Sequence, residues 1–274
     1  MSNASSRGPV LPNAVKRTEE KGTIPGETTS RSASWGLLMS VVLTVIVYFA
    51  AQLIAVVCIA ATLRLMGWDG SRMEQWLNEA TVAQFLYIAL AEALTVGAIV
   101  WLLRRRHIRL GQIGWGRPRV HHFGTALAWF GVYFVSYIVV AGVAKALIPT
   151  LNLEQEQQIG FQQAKAVAEL VLTYISLAVL PPIAEEFLFR GFLYTGLRSK
   201  LRIWPAILVT STLFAVGHLQ FGSGAPLLWV AALDTFILSV VLCHIREKTG
   251  SLWPGIFIHA IKNSLAFTVL FLLK

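Results

Sequence analysis

The sequence predicts an all-α fold, a polytopic transmembrane bundle of about seven to eight helices. Three observations predict it. Hydrophobic residues make up 55% of the 274 positions, charged residues only 14%, and mean hydropathy is +0.63, far from the balance of a soluble domain. Apolar stretches recur at lengths near the roughly 20 residues that carry a helix across a hydrocarbon core of about 30 Å. Within the later stretches stand a few carboxylates and imidazoles, which are expensive in hydrocarbon and mark a polar site built for chemistry or transport.

Residues 1–33 are Ser, Thr, Pro, Gly and charge with almost no apolar periodicity, the composition of a disordered tail. This tail lacks the apolar core of a secretory signal peptide, and the first apolar stretch is too long for one, so it reads as an uncleaved span. Residues 34–160 hold three spans near 35–63, 81–103 and 123–147. Residues 161–274 hold four more, near 167–189, 203–218, 226–243 and 252–273. The fifth and sixth are short, to be completed by polar flanks or to remain partly re-entrant.

Most of the 23 Lys and Arg residues fall on one set of alternating connections: the tail, the stretch from Arg104 to Arg119, the stretch from Arg190 to Arg202, and the turn at Arg246 and Lys248. The positive-inside rule then predicts a cytoplasmic N-terminus, with Lys274 outside, for an integral protein of the cell membrane. That map also excludes nucleic acid as the partner behind the net charge of +9; the bilayer is the partner. Arg104, Arg105, Arg106 and Arg109 read as a stop signal with affinity for anionic head groups. Trp35, Trp101, Trp204 and Trp253 sit near span ends, as interfacial indoles do. Cys58 and Cys243 lie in apolar spans without metal-finger spacing and read as buried thiols. There is no fixed-period repeat, no Gly-rich phosphate loop and no G-x-S-x-G elbow.

Leu180 opens the run LPPIAEEFLFRGFLY. Pro181 and Pro182 remove backbone donors, so the helix should kink or restart just before the acidic pair. Glu186 and Arg190 are four residues apart with the carboxylate N-terminal to the cation, the favourable orientation of a helix ion pair. Glu185 points about 100° around the helix and is left without that partner, so adjacent carboxylates can divide structural and catalytic work. Phe214 and His218 stand one turn apart on the next span, and His259 and Asn263 one turn apart on the last. Asn263 is suited to holding a histidine tautomer, donating to an oxyanion, or joining two helices by a hydrogen bond of about 1 kcal/mol. Glu92 and Asp234 are best read as interhelical hydrogen-bonding groups, with cavity lining the alternative. Glu169 and Lys145 read as snorkelling residues near a membrane boundary. Counted along its span, His218 falls near the outer end, whereas His259 falls nearer the cytoplasmic side.

The order EExxxR, FxxxH, HxxxN, at Glu185 to Arg190, Phe214 to His218 and His259 to Asn263, resembles the CPBP intramembrane proteases. That family includes the type II CAAX prenyl endopeptidases and bacteriocin-processing or bacteriocin-immunity proteins. The run TGSLWPGIFIHA at 249–260 is similar to the family's approach to its last motif, and the resemblance makes 161–274 the catalytic half. It implies a hydrolase that cuts a peptide bond within the membrane by a glutamate-activated water. Glu185 and His218 would activate the water, Glu186 and Arg190 would complete the first motif, and His259 and Asn263 would stabilise the oxyanion. The implied substrate is a peptide or a protein C-terminal tail. Glu185, His218 and His259 also form the His₂Glu ligand set of zinc hydrolases, in keeping with the name metalloprotease, so Zn²⁺ is the candidate cofactor. Lys262 next to Asn263 disfavours a divalent ion unless it snorkels away, and activation with and without zinc both stand open.

Two other classes fit buried carboxylates and imidazoles. A proton-coupled transporter predicts inverted repeats or paired broken helices, and the sequence has one broken site, at Pro181 and Pro182. A bacteriocin self-immunity or membrane scaffold protein without turnover would use the same cavity for binding alone.

Overall fold

The computed structural model describes residues 35–155, 159–220 and 226–273; the expected tail at 1–33 lies outside them. The described residues form eight helices and no strand: α1 (Leu37–Leu65), α2 (Gly70–Glu79), α3 (Thr81–Arg105), α4 (Val120–Leu147), α5 (Val167–Arg198), α6 (Ile203–Val216), α7 (Trp229–Thr249) and α8 (Trp253–Leu272). Six are long and apolar enough to cross a bilayer, and α6 is a shorter apolar helix of 14 residues. The chain is an integral membrane protein. The remaining helix, α2, is polar on one face and capped by the Asp69 side chain, which accepts from Arg72 N–H.

A soluble bundle turns its apolar faces inward, but here Phe49, Leu53, Val135 and Ile138 point outward from α1 and α4. Lipid replaces water as their environment, so the exposed faces carry no hydrophobic penalty, while every backbone polar group must find its partner internally. The largest apolar cluster joins α1, α3, α5 and α6 through Trp35, Ile99, Phe187, Phe192 and Phe214. A second cluster packs α4 against α7 and α8 through Tyr133, Leu238, Leu242 and Ile258. Helix α5 therefore lies between the two, and its polar face is what the other helices enclose.

Pro181 and Pro182 do not interrupt α5. The helix switches to π-type hydrogen bonding over Ile175–Val179, with Leu180 N–H reaching back to Ile175 O, and again over Glu186–Leu193. The expected kink is thus a change of register, which takes up the missing proline donors while the rod continues; such π-turns are frequent at functional sites.

Several expectations change. Trp35 is 1% exposed and stacks on Phe192 at 4.9 Å, an internal residue, whereas Trp101 and Trp204 are exposed as interfacial indoles should be. Trp253 donates from Nε1 to Gly116 O at 2.6 Å, closing a loop onto α8. Cys58 is exposed on α1, and only Cys243 is buried. Lys145 Nζ donates to Pro149 O and Leu151 O, exposed carbonyls just beyond α4, so its charge has a defined partner at the helix end. Glu169 accepts from Lys165 N–H and Ala166 N–H and so closes the first turn of α5. For Trp253, Lys145 and Glu169 a nearby backbone group offers a partner that the sequence does not reveal.

Gly196 on α5 is where α1 approaches closest: a Cβ there would collide with Ser40 Oγ and Trp35 Nε1. Gly97 on α3 has open space around it. Gly196→Val is expected to cost about 1–3 kcal/mol through overpacking, read as a lower Tm in detergent, and Gly97→Val to leave the α1 packing intact.

Candidate active site

Glu186 and Arg190 form the centre of the polar region. Their side chains are 1% and 0% exposed, and Arg190 Nη1 donates to Glu186 Oε1 at 2.7 Å. The Arg190 guanidinium also lies over the Phe214 ring of α6, 4.4 Å from its centroid, a desolvated cation–π contact. Glu186 faces α8 as well: its Oε1 is 3.6 Å from His259 Nδ1. Gly255 makes this approach possible, since a Cβ there would sit 2.8 Å from Glu186 Oε2.

Glu185 takes the other direction. Its Oε2 is 3.8 Å from His259 Nε2, and this buried oxygen has no hydrogen-bond partner among the described residues. His259, 3% exposed, is therefore held between two adjacent carboxylates, one on each side of its ring. His218 Nδ1 pairs with Phe214 O at 2.8 Å, leaving Nε2 for other chemistry. The His218 and His259 rings both lie against Phe214, with centroids 4.7 and 5.9 Å from it. The expected difference in depth between the two histidines disappears. Helix α6, at about 1.5 Å per residue, is too short to span the bilayer, and its end delivers His218 to the interior. No hydrogen bond or ion pair joins His218 directly to Glu185 among the described residues; Phe214 relates His218 to His259, and His259 in turn stands 3.8 Å from Glu185.

Asn263 has a specific backbone partner. Its Nδ2 donates to Leu177 O at 2.8 Å. In α-helical register that carbonyl would accept from residue 181, and in π-register from residue 182, and both are prolines without an N–H. The amide of Asn263 thus fills a vacancy left by Pro181 and Pro182 and ties α8 to α5. Lys262 does not snorkel: Nζ pairs with Asp234 Oδ2 at 2.7 Å, and Asp234 also accepts from Tyr133 OH. Asp234 is the interhelical group expected of it, joining α4, α7 and α8.

Glu92 is a cavity-lining residue, against the reading preferred from sequence. It lies with Glu185, Tyr48, Gln52, Tyr87 and Thr95 on the wall of a cavity of about 130 Å³ between α1, α3 and α5. The sequence signal was present, a carboxylate in the middle of an apolar span, but nothing in it ties position 92 to position 185. Among the described residues no three His, Cys, Asp or Glu side chains converge to hold a metal ion. The Glu185, His218 and His259 donors accordingly do not fit a zinc set in this geometry.

These features define an integral membrane helical bundle with a buried carboxylate and imidazole site. Residues 167–265, from the start of α5 into α8, match the family described as type II CAAX prenyl endopeptidase Rce1-like. This segment contains all seven motif residues. An Escherichia coli protein described as an uncharacterized 24.3 kDa protein is 31% identical over 97 residues, which cover 35% of this chain and 42% of that protein. The chain thus spans less than half the length of this curated relative. No solved structure matches the chain.

Removing one member of a buried ion pair leaves an uncompensated charge, at a cost of about 3–5 kcal/mol, whereas replacing both by apolar groups is often near neutral. Arg190→Met alone should strongly destabilise the protein, and Glu186→Leu with Arg190→Met should recover most of that loss, as measured by denaturation in detergent micelles.

Proposed function

We propose that the chain is an intramembrane endopeptidase that hydrolyses a peptide or a protein C-terminal tail with a water activated by Glu185 and His218. The observation that carries this reading is the unpartnered buried oxygen of Glu185, beside His259 and open to a cavity, within an Rce1-like segment. Neighbouring carboxylates are held by cations: Glu186 by Arg190 and Asp234 by Lys262. Of the carboxylates beside His259, Glu185 is the one free to act as a base.

In this reading the Glu185 carboxylate takes a proton from water as the water oxygen bonds to the scissile carbonyl carbon, with His218 Nε2 accepting a hydrogen bond from the same water. The carbonyl electron pair moves to oxygen, and a His259 tautomer carrying its proton on Nε2 donates toward that charge. Glu185 then delivers its proton to the leaving nitrogen as the C–N bond breaks, which yields a carboxylic acid and an amine. Asn263, engaged with Leu177 O, acts chiefly by fixing α8 against α5 so that His259 keeps its place.

Residues 161–274 would be the catalytic half, and α1 and α3, from within 34–160, supply the cavity wall opposite Glu185. The clustering of Lys and Arg on alternating connections supports a cytoplasmic N-terminus in the plasma membrane, with the substrate entering from the cytoplasmic leaflet.

Glu185→Gln and His218→Ala should each reduce cleavage by about 10²–10⁴-fold without changing thermal unfolding. The measurement is peptide profiling of membranes carrying the native chain or each variant, repeated with a chelator. Native turnover in either variant would remove the mechanism. Loss on chelation with recovery on adding Zn²⁺ would replace the metal-free water with a metal-bound one.

A further inference from the structure

The cavity at Glu185 is built largely by helices outside the Rce1-like segment. Tyr48 and Gln52 come from α1, and Tyr87, Ile88, Ala91, Glu92 and Thr95 from α3. Two of these are already committed. Gln52 Nε2 donates to Tyr48 O at 3.2 Å, and Gln52 Oε1 accepts from Tyr87 OH at 3.3 Å. They brace the wall and leave the Glu92 carboxylate as the unengaged charged group on it.

Carboxylates inside membranes are normally paired, and this protein follows that rule elsewhere. Glu186 has Arg190 at 2.7 Å, Asp234 has Lys262 at 2.7 Å, and Glu247 has Arg198 at 2.8 Å. Glu92 and Glu185 face the same cavity, and neither has a Lys or Arg within ion-pair distance among the described residues. Such a chamber is complementary to one positive charge. Its volume of about 130 Å³ is enough to admit a side chain. Its place next to Glu185 sets which side chain that is, because a carbonyl held at the activated water puts a flanking residue at the mouth.

We propose that this cavity is a substrate subsite for a cationic side chain, a lysine or arginine flanking the cleaved bond, with Glu92 as the recognising carboxylate. The assignment rests on the endopeptidase reading. Lysine suits the enclosed space best, as a compact ammonium on an unbranched stem that lies along Ile88 and Leu188 with its charge toward Glu92. A neutral isostere at the same position leaves that carboxylate desolvated and unpaired, so discrimination comes as much from rejecting wrong residues as from attracting the right one.

The test is a positional-scanning library of quenched fluorescent peptides, made with and without an S-farnesyl cysteine. It is presented to the full chain in lipid nanodiscs and read as kcat/KM for Lys, Arg, Gln, Leu and Glu at each flanking position. The native chain should prefer Lys or Arg over Leu by at least about tenfold at one position, or about 1.4 kcal/mol. The isosteric Glu92→Gln should bring that ratio close to one, Glu92→Asp should keep part of it, and Glu92→Lys should reverse it in favour of Glu. Thermal unfolding of each variant shows that the fold survives, and a ratio taken within one variant does not depend on its yield. A profile identical in the native chain and Glu92→Gln overturns the subsite, as does cleavage that depends on Glu185 but has no cationic preference. Cleavage by the native chain that persists undiminished in Glu185→Gln overturns the endopeptidase reading, and an absence of any cleavage by the native chain overturns both.

Discussion

The buried pair of Glu186 and Arg190 is the interaction on which the site depends. In hydrocarbon a lone carboxylate or guanidinium is costly, so each fixes the other, and at 2.7 Å with almost no exposure neither can swing to solvent. Each then engages a second helix. Arg190 lies over Phe214 of α6 and Glu186 faces His259 of α8, so one ion pair on α5 joins three helices. Because consecutive helical residues differ by about 100° in direction, committing Glu186 to this joint turns Glu185 away from it and toward the cavity. Glu185 is left free by the geometry of its neighbour.

The second constraint is in the backbone. A bilayer supplies no water to a carbonyl without a donor, so the donors missing at Pro181 and Pro182 must be replaced from within. Two devices share the task. The π-turn at Ile175–Val179 shifts the register before the prolines, and Asn263 donates to Leu177 O, which neither register could satisfy. The same amide holds α8 at the height that puts His259 between the two carboxylates. A motif residue to which the family resemblance gives an oxyanion role is here a strut between α8 and α5, the helix-joining role that its amide also allowed.

Much of this was legible in the sequence because it depends on local periodicity. Span lengths follow from hydropathy, and the helix-turn spacing of Glu186 and Arg190 gives their pairing without tertiary information. The order of the three motifs was enough to suggest the family. What was not legible depends on packing between distant elements. Trp35 carries the same signal as Trp204, yet it stacks on Phe192 because Gly196 lets α1 come close. Cys58 and Cys243 look alike in apolar runs, and only the neighbours of α1 and α7 separate them. His218 was placed too far from His259 because residue counting assumes a full crossing, which a 14-residue helix does not make. The metal set looked complete by residue type, but the side chains of α5, α6 and α8 do not converge on one point.

Position 92 shows best why one half of such a molecule is harder to read than the other. The chemistry of a buried water restricts which side chains can stand at Glu185, His218 and His259, so the C-terminal half carries a spaced pattern that a sequence can display. A wall that recognises a side chain needs only a shape and a charge, which many residues on α1 and α3 could supply at many positions, and no fixed spacing follows from that requirement. The family match beginning at residue 167 fits this division. The helices that carry the three motifs are recognisable as a kind, whereas a cavity wall leaves no such pattern to recognise. On the proposed reading, hydrolysis would belong to α5 and selectivity to α3, and the cavity where Glu92 and Glu185 meet would couple the two.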